Sequence, residues 1–174
     1  MSTDGETGDP MNGTMERLAA SDWDAVRRIF QEGIDTGIAS LETEPPTWED
    51  WDRAHTETCR LVYREAGSVV GWAALSPVSE RCVYGGVAEV SVYVAREAWG
   101  RGVGKALLGR LIRESEEEGI WTLQAGIFPE NKPSIGLHEA CGFRVVGVRE
   151  RLGRLRDQWH DVVLMERRSH TVGT

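Results

Sequence analysis

Three glycines in five residues, Gly100, Gly102 and Gly104, stand between an alternating apolar run and a helical one. Upstream, Glu89-Val90-Ser91-Val92-Tyr93-Val94 sets valine against Glu, Ser and Tyr, the period of two of a half-buried strand. Downstream, Val103, Leu107, Leu108, Leu111 and Ile112 recur at helical spacing. The stretch Ala88 to Leu108 therefore predicts a strand, a glycine turn and a helix N-terminus. The first turn of a helix has N–H groups without partners inside the helix and carries the positive end of its dipole, so it attracts anions. Glycines let such a ligand come close because no Cβ intervenes. Arg96, Arg101 and Lys105 surround this helix start, whereas Glu114, Glu116, Glu117 and Glu118 crowd the helix end. That distribution reverses what the dipole favours, and an external anion at the helix start explains it. A glycine connector beside a solvated charged face accounts for the same residues without a ligand.

Two nucleotide loops do not fit the spacing. A Walker loop needs glycine where Trp99 stands and a hydroxyl where Ala106 stands. A dinucleotide fingerprint needs a third glycine where Lys105 or Leu107 stands.

At 174 residues and 40% hydrophobic, the chain suits one globular domain with a real core. The expected boundaries are a flexible polar tail over 1–13, one domain over 14–168 and a flexible C-terminal tail over 169–174. A net charge of −8 argues against nucleic acid or an anionic membrane surface as the main partner. No apolar run is long enough to span a membrane and no signal-peptide pattern opens the chain, so a cytoplasmic protein is expected. Cys59, Cys82 and Cys141 are widely spaced, with no CxxC and no nearby His pair. They are expected as core thiols, with no disulfide framework and no metal.

Along the chain, Ser21-x-x-Asp24 is a variant capping box for a first helix running to about Gln31 or Glu32. A loop over Gly33 to Pro46 precedes a second helix capped by Thr47. Leu61 to Tyr63 and Val69 to Leu75 read as a hairpin turning at Gly67-Ser68. Trp121 to Phe128 is a strand, and Pro133 to Cys141 a short helix closed by Gly142. Phe143 to Val148 and Val162 to Met165 complete a mixed sheet covered by helices, an α/β fold.

Gly102 and Gly104 match the Q/R-x-x-G-x-G/A pyrophosphate loop of the GNAT acetyltransferases, with Trp99 where Gln or Arg is usual. Asn131-x-x-Ser134, His138-Glu139 and Cys141-Gly142-Phe143 resemble the segment that follows in that family. Arg81-x-x-Tyr84, Ala88-Glu89, Asn131-x-Pro133-Ser134 and Trp159-His160-Asp161-Val162 are similar to the phosphinothricin and methionine sulfone or sulfoximine acetyltransferases. The resemblance runs from about Met15 to Glu166. It implies the GNAT fold, a central twisted sheet, mixed but mostly antiparallel, flanked by helices. It also implies an acyltransferase that moves acetyl from acetyl-CoA to the α-amine of a small amino acid, and a homodimer.

Such a transfer needs a deprotonated amine, a stabilised carbonyl oxygen and a protonated thiolate. The resemblance makes Glu89 the general base and puts His138 at the substrate; an imidazole also titrates near neutrality and can relay protons. A half-exposed strand carboxylate and a packed histidine remain the alternatives. By resemblance, a backbone N–H within Val92, Tyr93 and Val94 stabilises the carbonyl oxygen. The backbone of Arg101, Gly102, Val103, Gly104 and Lys105 is expected to hold the pyrophosphate, with Arg96 and Arg101 as charge partners. Asn131 and Ser134 match the residues that fix the pantetheine arm. Arg81 and Tyr84 match those that hold the acceptor's acid end, and Leu41 replaces an aromatic at the acceptor wall. A peptide N-acetyltransferase of the same fold and a non-catalytic acyl-CoA-binding module are the competing readings. A triad from His160 and Asp161 is not expected, because no Ser or Cys has a nucleophile-elbow context.

Overall fold

The computed structural model describes residues 12–174; residues 1–11 of the expected tail lie outside the described residues. Gly13, assigned to that tail, already opens strand β1 (Gly13–Arg17), which pairs antiparallel with β2 (Arg60–Glu65). The strand carries a single strongly apolar residue, Met15, so it has almost no hydrophobic alternation to announce it.

Helix α1 (Trp23–Asp35) buries Val26, Ile29, Phe30 and Ile34 on one face. Its entrance is set by Asp22 rather than by Ser21 and Asp24: Asp22 Oδ2 accepts from the Ala19 N–H at 2.9 Å, and Asp22 pairs with Arg64 on β2. The helix runs past Gly33, which the ring of Tyr93 packs against so closely that no Cβ would fit. It ends where Gly37 takes a φ of 73°. Helix α2 (Trp48–Ala54) begins where Thr47 Oγ1 accepts from the Asp50 N–H at 3.2 Å, as the sequence predicts.

Strand β2 returns into β3 (Ser68–Pro77) through Ala66 and Gly67, both at positive φ, the geometry of a two-residue hairpin turn. The turn thus lies one residue earlier than expected. Then come β4 (Val87–Val94), α3 (Val103–Glu117), β5 (Thr122–Ile127) and α4 (Lys132–Ala140). Two long strands close the chain, β6 (Arg144–Leu155) and β7 (Gln158–Arg168). They outrun their expected bounds because their outer halves are largely exposed and polar. Residues 169–174, expected as a tail, fold back: Ser169 is buried, its N–H donates to Trp121 O at 2.8 Å, and Arg168 donates to Val172 O. Of the three cysteines, Cys59 is buried, but Cys82 is exposed in the loop between β3 and β4.

Among the described residues the sheet has seven strands in the order β1-β2-β3-β4-β5-β7-β6, every neighbouring pair antiparallel except β4 and β5. It is the mixed sheet that the residues predict, and it is mostly antiparallel, as the family resemblance implies. On one face, Phe30 of α1 and Trp51 of α2 pack on Trp72, and Tyr93 stacks on the same indole. On the other, Leu107, Leu108 and Leu111 of α3 are fully buried. The parallel pairing of β4 and β5 covers three rungs and ends at Glu89 opposite Gln124. Beyond that rung β4 stays with β3 as far as Val94, and β5 stays with β7 as far as Ile127. The two halves of the sheet therefore part, and the parting opens the site.

Candidate active site

A cleft of about 1500 Å³ fills the parting and runs between the glycine loop on one side and the α1–α2 loop on the other. Glu89 stands at its apex, where Gln124 Nε2 donates to Glu89 Oε2 at 2.9 Å. Gln124 escapes a reading of the sequence because a lone polar residue in an apolar strand acquires meaning only once the register puts it level with Glu89.

Ala95 donates its N–H to Val70 on β3. Strand alternation turns the N–H groups of Tyr93 and Ser91 the same way, and those of Val92 and Val94 toward the cleft. Above them, the first hydrogen bond of α3 runs from Ala106 N–H to Gly102 O. The N–H groups of Val103, Gly104 and Lys105 precede it and have no acceptor within the helix. Gly102, the N-cap, has a φ of 85°, and a Cβ added at Gly100 would meet no atom within 4 Å. The residues that carry these donors line the cleft, as binding of an anion of the pyrophosphate kind requires, and Leu137 packs close to Gly104 on its Cβ side. Lys105 lines this end of the cleft. Trp99, in the place usual for Gln or Arg, donates its indole N–H to Val94 O at 2.8 Å and lies beneath the Arg96 guanidinium.

Asn131 caps α4: its Oδ1 accepts from the Ser134 N–H at 3.3 Å, while its Nδ2 donates to Ile38 O at 3.3 Å. One side chain thereby ties α4 to the α1–α2 loop. Tyr93 makes a second tie, donating its hydroxyl to Ala39 O at 3.3 Å; burial pushes its phenol up to about 12 and keeps that proton in place. His138 is buried, edge-on to Phe143, and its Nδ1 lies 2.7 Å from Ser134 O. A carbonyl only accepts, so the proton is on Nδ1 and the lone pair on Nε2.

The cleft brings together Glu89, Val92, Tyr93, Val94, Gly102, Val103, Gly104, Lys105, Asn131, Ser134, His138 and Leu41 of the expected residues. The side chains of four others lie outside it, although the backbone of Arg101 stays in the glycine loop between Gly100 and Gly102, which line the cleft. Arg101 pairs with Glu65 at 2.8 Å, and Arg96, itself outside the cleft lining, covers Trp99, which belongs to it. Arg81 and Tyr84 form an exposed stacked pair, 5.6 Å from guanidinium to ring centre, in the β3–β4 loop and outside the cleft lining. Sequence spacing alone did not point to Trp51, His55 and Arg149, which also line the cleft. His160 stacks on Phe128, and Asp161 accepts the Arg151 N–H at 2.7 Å, so neither belongs to a triad. Among the described residues no group of three or more His, Cys, Asp or Glu side chains is placed to hold a metal ion.

Burial holds the imidazoles of both His55 and His138 below their ordinary value of 6.5, against the opposing pull of the Trp51 and Ser134 carbonyls. Below pH 6.5 the unfolded chain takes up protons at these positions before the folded chain does, so stability falls as pH falls through that range. Urea midpoints at pH 7.5 and 5.5 test this: the double variant His55→Gln, His138→Gln is expected to lose less stability on acidification. An equal loss would locate the titrating groups elsewhere.

Comparison with known proteins agrees with the geometry. The chain is 32% identical to the phosphinothricin N-acetyltransferase of Streptomyces viridochromogenes, over 85% of this chain and 83% of that protein. It is 34% identical to the L-methionine sulfoximine/L-methionine sulfone acetyltransferase of Pseudomonas aeruginosa, over 90% and 94%. The crystal structure of a phosphinothricin acetyltransferase from Sinorhizobium meliloti in complex with acetyl-CoA superposes with a TM-score of 0.84 at 29% identity, over 94% of this chain and 91% of that one. Residues 23–143 match the model of the Acetyltransferase (GNAT) family. The open glycine loop, the parted strands and this match together make the chain a member of the GNAT acetyltransferase family.

Proposed function

We propose that this enzyme transfers the acetyl group of acetyl-CoA directly to the α-amine of a small amino acid or analogue of the phosphinothricin, methionine sulfone or methionine sulfoximine type. The observation that carries the reading is the Glu89 carboxylate, held by Gln124 where β4 and β5 part, in one cleft with the unpaired amides of the α3 start. Acetyl-CoA, when bound, supplies a thioester carbonyl and a thiolate leaving group. The amides of Val103, Gly104 and Lys105 bind its pyrophosphate, and the Lys105 ammonium adds charge. Val92 or Val94 N–H donates to the thioester oxygen and is fixed before the reaction begins. Glu89 takes the first proton from the acceptor ammonium, directly or through water, and the second proton that the nitrogen loses as the C–N bond forms and the C–S bond breaks goes to the departing thiolate. Asn131 and Ser134 flank the pantetheine arm, and His138, neutral at pH 7 with its Nε2 lone pair free of Ser134 O, serves as a relay or a substrate contact.

Direct transfer is supported by what lines the cleft. None of Cys59, Cys82 and Cys141 does, and of the serines that do, Ser40, Ser91 and Ser134, the last meets His138 only through Nδ1, whose proton is committed to the Ser134 carbonyl. Exposed apolar side chains on β6, β7 and the β3–β4 loop, Val83, Val145, Val148 and Trp159 among them, support a homodimer. Among the described residues no helix is long and apolar enough to cross a membrane.

The test is thiol release from acetyl-CoA with phosphinothricin, methionine sulfone, methionine sulfoximine, common amino acids and a short peptide. Turnover on one of the first three is expected. Turnover on the peptide alone would transfer the reading to peptide N-acetylation.

A further inference from the structure

Arg149 lies in β6 opposite Val162 of β7. Successive registers put it on one face of the sheet with the catalytic apex: Glu89 opposite Gln124, Gly126 opposite Leu164, Leu164 opposite Gly147. Residues opposite one another share a face, and so do residues two apart. Three strand spacings and four residues of rise separate Glu89 from Arg149, on the order of 20 Å between Cα atoms in a flat sheet. Two long side chains reaching into that interval leave room for a small molecule.

The local backbone is built to hold this position. The β6–β7 register shifts between Arg149 and Gly153, and Arg151, inside the shift, has a φ of 46°. Asp161 clamps the irregularity by accepting the Arg151 N–H at 2.7 Å. Bulges of this kind re-aim neighbouring side chains. Leu41 of the α1–α2 loop packs against Gly153 with no room for a Cβ there, so an apolar wall stands beside Arg149.

The charge of Arg149 is also uncommitted. Among the described residues no hydrogen bond, ion pair or ring contact to its side chain is found, whereas Arg101 is paired with Glu65 and Arg81 is stacked on Tyr84. The other ammonium or guanidinium lining the cleft is Lys105, at the far, anion-loop end. A guanidinium receives a carboxylate or phosphinate through two parallel hydrogen bonds.

We propose that Arg149, in place of Arg81, receives the anionic group of the acceptor and so selects amino acids over simple amines. This rests on the acetyl-transfer reading above and adds the residue that sets substrate class. It is tested by comparing kcat/KM for methionine sulfone and for its carboxamide, whose acid is neutralised, in the wild type, Arg149→Met, Arg149→Lys and Arg81→Met. In the wild type the free acid is preferred. Arg149→Met is expected to cut the acid-to-amide ratio about 30-fold, the scale of one lost charge-assisted pair. Arg149→Lys restores part of it, and Arg81→Met keeps the wild-type ratio. An unchanged acetyl-CoA Kd in each variant establishes that the fold is intact. A ratio unmoved by Arg149→Met, or one that collapses in Arg81→Met instead, overturns the assignment while leaving acetyl transfer standing. If the wild type acetylates neither compound nor any amino acid, the functional reading falls and this assignment with it.

Discussion

Glu89→Gln lowers kcat by about 10²- to 10³-fold and leaves the acetyl-CoA Kd unchanged, the range expected when a positioned general base is removed. The substitution conserves volume and hydrogen-bonding shape at the end of the β4–β5 ladder, so packing does not supply the loss. The cofactor's expected contacts are the Val92 and Val94 amides, the α3 start, and Asn131 and Ser134 at the start of α4, none of which is the carboxylate. The acceptor reaches the cleft as an ammonium, and no other described carboxylate stands where the two strands part. Gln124→Leu is the companion variant. It keeps the strand and removes the 2.9 Å hydrogen bond, so the carboxylate stays but loses its fixed orientation. About a tenfold fall in kcat is expected, the scale of one hydrogen bond to a charged group. Should Glu89→Gln turn over like the wild type, the base role passes to His138 or to water, and His138→Gln then becomes the variant that loses turnover.

Much of this site is legible in the residues themselves, because its central motif is local. Strand alternation, glycine turn and helix start are contiguous in sequence, and the backbone that binds an anion is specified by φ preference and dipole with no distant partner. Thr47 and Gly142 were legible for the same reason: a cap acts within its own turn. What was hidden depends on register. Gln124 and Arg149 are ordinary strand residues until β5, β7 and β6 are laid beside β4, and a slip of one residue would turn each of them to the other face. Arg101 illustrates the converse. Its place beside the loop suggests a phosphate partner, yet Glu65 on β2, remote in sequence, pairs with it at 2.8 Å. Strand β1 was invisible because an edge strand with one strongly apolar residue has no period to read.

Gly102→Val is expected to weaken acetyl-CoA binding by at least about tenfold, with a further cost to stability of about 1–3 kcal/mol from forcing a β-branched residue into left-handed backbone. Both effects come from one position. Gly102 has a φ of 85° and is the N-cap of α3, so it sets the start of the helix whose first residues, Val103, Gly104 and Lys105, line the cleft. A valine there shifts the turn out of the left-handed region, tilts the donors away and sets an isopropyl group where the anion would approach. Gly109→Ala is the control that separates this from helix propensity. Gly109 lies inside the same helix, and an added Cβ would come no closer than 4.0 Å to its nearest neighbour, Arg113 Nη1. That substitution is expected to raise stability by about 0.5–1 kcal/mol and to leave the acetyl-CoA Kd alone. Calorimetric titration and urea unfolding of the two variants read both quantities directly. Equal affinity in Gly102→Val and the wild type would mean that the helix start does not carry the pyrophosphate, and the Lys105 ammonium would then have to hold it without the backbone.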